Sequence, residues 1–154
     1  MPDASSQSSA SDSTTEHREQ AASTDVTCAV VTVSDTRTPE SDTSGQLMQR
    51  RLESHGFEVA EYAIVPDEPE RIDALLDDLA GTVDAVLMNG GTGISRRDRT
   101  FDVLAGKLEK TLPGFGEIFR MLSYDEVGAA AMLSRATAGL YQGTLFFSRS
   151  EERR

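Results

Sequence analysis

The stretch that decides the fold runs from Val83 to Thr100 and reads VDAVLMNGGTGISRRDRT. It opens as an apolar run dense in Val and Leu, which is typical of a buried β-strand. Three glycines then fall within four positions, and a polar loop leads through Thr100 into a helical pattern. Glycine permits positive φ, and without a Cβ it lets a ligand reach the backbone N–H groups. The stretch therefore predicts a strand, a turn large enough to bind a phosphate group, and the start of a helix.

The turn alone does not specify a ligand. Its sequence, Gly90-Gly91-Thr92-Gly93, is neither the dinucleotide fingerprint nor a Walker loop, which would end in Lys-Ser/Thr. A helix N-terminus just beyond it would add the positive end of a helix dipole and attract anions. The turn by itself is compatible both with a plain strand-to-helix connection and with a phosphate site.

Length and composition narrow the class of protein. A chain of 154 residues with 38% hydrophobic content fits one domain with a modest core. No run approaches the roughly 18 apolar residues of a membrane span, and the amino terminus lacks an export pattern, so we expect a cytoplasmic protein. The lone Cys28 sits in an apolar run and is expected to be a buried, inert thiol. His17 and His55 are too far apart in unlike surroundings for a His-based zinc site or a Ser-His-Asp triad.

The net charge of −11 also argues against some classes of ligand. Lys107 and Lys110 are the only lysines, and an acidic surface argues against general nucleic-acid binding, which needs a basic face. Such a charge suits a protein kept soluble at high salt, where screening removes self-repulsion. We treat a gain of stability at high salt as a hypothesis.

The chain divides into three parts. Residues 1–25 are rich in Ser and Thr and contain no Val, Ile, Leu or Phe, which predicts a disordered acidic tail. Residues 26–148 carry the periodic patterns of a folded domain. Residues 149–154 form a short charged tail.

Strand and helix patterns alternate through the domain. Strands are predicted at 26–33, 57–65, before the glycine turn, and in a hairpin of 136–140 with 144–148. Helices are predicted at 46–55 and at 101–107, the second capped by Thr100. Another is predicted around Ile72, Leu75, Leu76 and Leu79, with Asp67 and Glu70 as a capping pair. The last follows a turn at 113–116 and is predicted around Phe115, Ile118, Phe119 and Leu122. The segment 129–135 is ambiguous. This alternation predicts an α/β fold with a mostly parallel sheet, whose ligands bind beyond the carboxyl ends of the strands.

Three carboxylates are expected at that edge of the sheet. Asp35 and Asp67 follow the first two strands, and Asp98 follows the glycine turn among Arg96, Arg97 and Arg99. Carboxylates beside an anion site repel the anion unless a hard cation lies between them, which favours a nucleotide with Mg²⁺. Structural roles stay open: Asp67 as a helix cap, Asp35 as a turn residue, Asp98 as a loop residue, and the arginines as a solvated loop.

Six motifs together resemble the MoaB/Mog family of molybdenum cofactor biosynthesis. They lie between about Val26 and Phe147, in the order and approximate spacing of that family: Val33-Ser34-Asp35, Asp42-Thr43-Ser44-Gly45, Val65-Pro66-Asp67-Glu68, the glycine turn with Arg97-Asp98 and Thr100, Pro113-Gly114-Phe115-Gly116-Glu117 with Arg120, and Leu133-Ser134-Arg135-Ala136.

The resemblance implies a three-layer α/β/α domain that binds molybdopterin. In active members it implies transfer of AMP from Mg-ATP to molybdopterin with release of pyrophosphate, and assembly as a homo-oligomer, a trimer or hexamer. Asp67 and Asp98 match the family's functional aspartates, with Asp98 also expected to hold the metal. The residues expected to bind substrate or nucleotide are Ser34, Asp35, Gly90, Gly91, Thr92, Gly93, Ser134 and Arg135.

The sequence departs from the family pattern after its last strand. The family continues there into a Pro-Gly-Ser-type loop and a long helix, whereas this chain reads Ser148-Arg149-Ser150 and then charged residues. Without that helix we expect apolar side chains of one sheet face to be uncovered. The enzymatic interpretation is favoured by the presence of both aspartates. The alternatives are a molybdopterin-binding or assembly protein without turnover, and a different pterin- or nucleotide-binding α/β protein.

Overall fold

The computed structural model describes residues 25–150. The predicted N-terminal tail, apart from Asp25, and the last four residues of the charged end lie outside the described residues. The elements, in chain order, are β1 (Thr27–Val33), α1 (Thr43–Ser54), β2 (Glu58–Val65), α2 (Pro69–Leu79), β3 (Ala85–Asn89), α3 (Thr100–Lys107), β4 (Lys110–Thr111), α4 (Pro113–Val127), a 3₁₀ segment (Gly128–Leu133), β5 (Thr137–Tyr141) and β6 (Thr144–Arg149).

The described strands form one six-stranded sheet in the order β2-β1-β3-β6-β5-β4. The pairs β1–β2, β1–β3 and β3–β6 are parallel, and the pairs β5–β6 and β4–β5 are antiparallel. The predicted α/β fold with a mostly parallel sheet is confirmed, and so is the hairpin, which turns at Gln142 and Gly143.

Alternation along the strands separates the two faces of the sheet. One face packs against α2 and α3 and holds a fully buried core whose largest members are Phe146, Ile72, Leu76, Met88 and Leu104. The four apolar positions that predicted α2 all point into or against this core. On the opposite face, Met48 and Leu52 of α1 and Phe115 of α4 approach the strands, which gives the three-layer arrangement.

That second face is incompletely covered by the described residues. A groove of about 300 Å³ lies open between α1 and α4, with a floor that includes Cys28, Leu87 and Phe147. Phe115 contacts Phe147 edge-on, with ring centroids 5.3 Å apart, and closes one side. The sheet therefore has a tightly packed face and an open one.

Three helix starts differ from the predictions. Helix α2 begins at Pro69 with Glu68 as its N-cap residue and no side-chain cap, so the predicted capping role of Asp67 is wrong. Thr100 is the first residue of α3 and its side chain makes no cap bond, so its predicted capping role is wrong as well. The predicted turn at 113–116 is the first turn of α4, because Pro113 is preset for the first helical position.

Strand β4 and the 3₁₀ segment also go beyond what the sequence predicted. The two-residue strand β4 was not predicted, since Lys110 and Thr111 are too few to show a period. The ambiguous segment 129–135 is mostly the 3₁₀ segment. Among the described residues no helix has the length and apolar character needed to cross a membrane.

Candidate functional site

The carboxyl ends of β1, β2 and β3 meet at one edge of the sheet. The N–H of Ser34 donates to the carbonyl oxygen of Val65 at 2.9 Å, which continues the pairing of β1 with β2. One residue further on, Asp35 Oδ1 accepts the backbone N–H of Asp67 at 2.9 Å. The strand ends predicted to converge therefore do so, and Asp35 holds the backbone at Asp67 in place.

The glycine turn adopts the backbone conformation that its sequence predicts. Gly90 has φ of 96° and Gly91 has φ of 67°, both in the region that L side chains rarely occupy. A Cβ at Gly90 would lie 2.3 Å from the carbonyl oxygen of Val33, and one at Gly91 would lie 2.2 Å from Thr100 Oγ1. Glycine is thus required here by the protein's own atoms, which already fill the space a Cβ would take.

Backbone donors are available in the turn. Among residues 25–150, the N–H groups of residues 91–94 have no hydrogen-bond acceptor. The side-chain oxygens of Thr92 and Thr100 are buried and also lack a partner in the described part of the chain. Thr100 opens α3, so the positive end of that helix adjoins the turn. These are the features of an anion-binding site, and an oxygen-rich group would satisfy the orphaned donors.

Asp67 lies against the turn. Its Oδ1 accepts the backbone N–H of Arg99 at 3.1 Å. Its Oδ2 lies 3.3 Å from where a Cβ of Gly91 would be. Burial raises the pKa of the Asp67 carboxyl, the charges of Asp98 and Asp35 raise it further, and the N–H of Arg99 opposes them. The three carboxylates therefore share one electrostatic environment.

Asp98 lies beside the last glycine of the turn. Its Oδ2 accepts the backbone N–H of Ser95 at 2.8 Å. The same oxygen lies 2.7 Å from the position of a Cβ at Gly93. Both predicted catalytic aspartates thus stand beside the glycine turn. Their catalytic roles stay predictions.

The charges around the turn fit a nucleotide with a hard cation. Arg96, Arg97 and Arg99 are exposed, and none forms an ion pair within residues 25–150. The described residues contain no group of three or more His, Cys, Asp or Glu side chains arranged to hold a metal ion. A Mg²⁺ ion bound by one or two of the carboxylates would complete its coordination with substrate phosphates and water, which is its usual mode. The oxygen donors of Asp67 and Asp98 suit that ion.

The remaining predicted residues fall into two places. Ser34 accepts the backbone N–H groups of Thr36 and Arg37, so its hydroxyl closes its own turn. Ser134 and Arg135 line a cavity of about 360 Å³ together with Arg120, Phe101 and the start of α4, and Arg135 contacts the glycine turn at Gly93. The structure thus places an open cavity next to the glycine turn.

A buried polar cluster behind the strand ends was missed by the sequence reasoning. Asp42 is fully buried, caps α1 by accepting the N–H of Gly45, and accepts the hydroxyls of Thr32 and Tyr62. Asn89 donates in turn to Thr32 at 2.9 Å. Burial and Asp42 raise the pKa of Tyr62. The cluster fixes the ends of β1 and β3, and the cap pattern Asp42-Thr43-Ser44-Gly45 is the signal that could have revealed its central residue.

The fold and the candidate site define the class: an α/β domain with a mostly parallel sheet and a glycine turn at the carboxyl ends of its strands. Comparison with known proteins gives the family. Residues 29–148 match the family described as "Probable molybdopterin binding domain". The chain belongs to the MoaB/Mog family of molybdenum cofactor biosynthesis proteins, and its function lies in that biosynthesis.

Individual relatives agree with this assignment. Molybdenum cofactor biosynthesis protein B of Bacillus subtilis is 52% identical over 138 residues, covering 86% of this chain and 79% of the relative. Its counterpart in Halalkalibacterium halodurans is 49% identical over 136 residues, with the same coverage. A crystal structure of a molybdenum cofactor biosynthesis protein B superposes with a TM-score of 0.79 at 45% identity, covering 84% of this chain and 82% of that one. The tungsten cofactor synthesizing protein MoaB from Pyrococcus furiosus gives a TM-score of 0.72 at 39% identity, with 83% of each chain covered.

Proposed function

We propose that this protein binds molybdopterin and transfers AMP to it from Mg-ATP, giving adenylyl-molybdopterin and pyrophosphate. The observation that supports this most is that Asp67 lies beside Gly91 and Asp98 beside Gly93 of the same glycine turn, whose backbone donors have no acceptor among the described residues. The family match supports molybdopterin as the ligand.

The chemistry is a phosphoryl-group substitution. A terminal phosphate oxygen of molybdopterin attacks the α-phosphorus of ATP, the new P–O bond forms, and the bond to the β-phosphate breaks so that pyrophosphate leaves. Such a reaction depends mainly on positioning and on neutralising charge. Mg²⁺, when bound, supplies the positive charge that lets phosphate oxygens approach the carboxylates.

Each part of the candidate site has a role in this reaction. The N–H groups of residues 91–94 and the start of α3 hold phosphate oxygens. Asp98 holds the metal, and Asp67 orders the reacting phosphates with it. The exposed arginines that follow the turn attract the polyanionic substrates to an otherwise acidic protein.

The test is pyrophosphate release by the purified protein with molybdopterin and Mg-ATP. Asp67→Asn and Asp98→Asn should each lower the rate roughly a hundredfold or more, the scale of losing one electrostatic contact in a preorganised site. Asp78→Asn is the matched control, because Asp78 is exposed on α2 near its C-terminus. Full activity in both Asp67→Asn and Asp98→Asn would contradict the proposed roles of these two aspartates.

A second candidate function is binding of molybdopterin without turnover. It is favoured by the way Asp98 is used, since its Oδ2 already accepts the backbone N–H of Ser95 and so helps to shape the loop. Equilibrium binding of molybdopterin with no pyrophosphate released from Mg-ATP would decide for this function.

Self-association is also part of the proposal. Helix α4 and the 3₁₀ segment expose a continuous set of large apolar side chains: Ile118, Met121, Leu122, Tyr124, Val127, Met132 and Leu133. Met132 is 77% exposed and Met121 is 64% exposed, which is unusual for side chains of this kind. A second copy of the chain is the proposed partner, and Met121→Lys should shift the mass measured by light scattering toward the monomer.

A further inference from the structure

Arg135 makes three hydrogen bonds to the backbone of the loop in the candidate site. Its Nε donates to the carbonyl oxygen of Gly93 at 2.8 Å, and its Nη2 donates to the carbonyl oxygen of Asp98 at 2.8 Å. Its backbone N–H donates to the carbonyl oxygen of Thr92, also at 2.8 Å. One residue thus holds the loop at its beginning and at its end.

Two further donors of Arg135 are directed at Asp102 in α3. Nη1 lies 2.9 Å from Asp102 Oδ1, and Nη2 lies 3.3 Å from Asp102 Oδ2, which is a bidentate ion pair. The guanidinium also lies over the ring of Phe101, 4.8 Å from its centroid. A guanidinium has five N–H donors, and these contacts use the Nε donor, both Nη2 donors and one of the two on Nη1. The two-donor fork that a phosphate would need is therefore already occupied.

The segment that carries Arg135 is itself anchored. Nη1 of Arg120 in α4 donates to the carbonyl oxygens of Ser134 and Ala136, both at 3.2 Å. A Cβ at Gly116 would lie 2.6 Å from the same carbonyl oxygen of Ala136, so α4 packs closely there. The residues on both sides of Arg135 are fixed to α4, and its side chain extends from this fixed point to the loop.

We propose that Arg135 is a positioning residue: it holds residues 93–98 in the shape that presents the backbone donors of the turn and the Asp98 carboxylate, and it does not bind the substrate anion. This role deepens the proposed function and rests on it for the identity of the anion, a substrate phosphate. Asp102 is the second half of the clamp, because it orients the guanidinium toward the loop.

The two roles that Arg135 could have give opposite results when Asp102 is changed. If Arg135 positions the loop, Asp102→Asn weakens the clamp and so weakens anion binding. If Arg135 binds the anion, Asp102→Asn releases the guanidinium and removes a competing negative charge, so anion binding becomes tighter.

The experiment combines hydrogen exchange with a binding measurement on the full chain. Backbone amide exchange of Ser95, Arg97 and Asp98, whose N–H groups have acceptors within the loop, is measured without ligand in the wild type, Arg135→Lys, Asp102→Asn and the double variant. Inorganic pyrophosphate with Mg²⁺ is then titrated into each protein. Arg50→Lys and Asp78→Asn are the matched controls, since both residues are exposed.

We expect Arg135→Lys and Asp102→Asn each to speed loop exchange and weaken pyrophosphate binding by about tenfold, the scale of a charge-assisted hydrogen bond. Exchange of β1 should stay unchanged, and the double variant should be no worse than Arg135→Lys alone, since the pair acts as one unit. Unchanged loop exchange, tighter binding in Asp102→Asn, or additive effects would overturn the proposal.

The result is independent of adenylyl transfer. Exchange is measured without substrate, so a wild type that releases no pyrophosphate from ATP would contradict the proposed function and leave this test standing. If Arg135→Lys fails to fold, Asp102→Asn decides alone, because Asp102 is exposed and its replacement keeps the side-chain shape.

Discussion

Asp67 illustrates at the residue scale how function and stability compete. Burial and two neighbouring carboxylates raise its pKa, so its ionised form is disfavoured in the folded protein. At neutral pH the charge therefore costs stability, which is tolerable only if the site needs it.

Asp67→Asn should accordingly raise the Tm at pH 7 by a few degrees while it lowers the rate of adenylyl transfer roughly a hundredfold or more. The asparagine oxygen can still accept the N–H of Arg99, so the loop contact survives the change. Scanning calorimetry beside the pyrophosphate assay checks both effects. A clearly lower Tm would mean that the carboxylate is a structural element and not a strained functional one.

For single residues, the sequence predicted which ones belong to the candidate site better than it predicted the contacts they make. It identified Asp67, Asp98 and the glycine turn because strand ends and glycines leave local patterns. It misassigned Asp67 as a helix cap, because Pro69, preset for the first helical position, moves the cap to Glu68. The contacts of Arg135 join residues more than thirty positions apart, and no local pattern contains such information.

At the scale of elements, β6 separates the two faces of the sheet in adjacent residues. Phe146 is fully buried in the core against α2 and α3, whereas Phe147 is only half-buried in the groove between α1 and α4. The same deletion at the two positions therefore compares a packed face with an open one.

Phe146→Ala should cost about 3–5 kcal/mol of unfolding free energy, the usual range for a buried phenylalanine. Phe147→Ala should cost less than half as much, because few atoms surround the ring on the open side and little cavity is created. Urea denaturation of the two variants measures the difference. Equal losses would show that the groove is covered in solution.

The start of the sheet depends on one carboxylate. Asp84 accepts the backbone N–H of Thr27 at 2.8 Å and its hydroxyl at 3.0 Å, and these hydrogen bonds lower the pKa of Asp84. A lowered pKa means that the stabilisation is complete above the pKa of the unfolded chain and is lost as the pH falls through that of the folded protein.

Asp84→Asn should therefore lower the Tm by a few degrees at pH 7, and the gap to the wild type should close as the pH falls through the lowered pKa of Asp84 in the folded protein, below which the carboxyl is protonated in both states. Thermal melts of both proteins between neutral and acid pH measure this. A gap that persists in acid would mean that shape, and not charge, carries the contact.

Long, strongly periodic elements were predictable at this scale and short ones were not. The spacing of Ile72, Leu75, Leu76 and Leu79 gave α2 because all four face one core. β4 has two residues, and its place in the sheet is set by pairing with Gly139 and Leu140, which lie far along the chain.

The whole molecule carries a net charge of −11, and this excess acts on the folded state as a unit. Like charges repel in the compact chain more than in the expanded one, and salt screens that repulsion. We expect the Tm at pH 7 to rise by several degrees between about 0.05 M and about 1 M KCl. The control is the same titration near pH 4.5, the calculated isoelectric point, where the rise should be much smaller. A Tm that ignores salt at neutral pH would contradict this view of the surface.

We propose that three strand ends converge to form one site for adenylyl transfer. Single-turnover transfer of a radiolabel from the α-phosphate of ATP to molybdopterin tests it most directly, in the wild type and in Asp98→Asn. We expect labelled molybdopterin from the wild type with Mg²⁺ and almost none from the variant. Equal labelling of both proteins would contradict it.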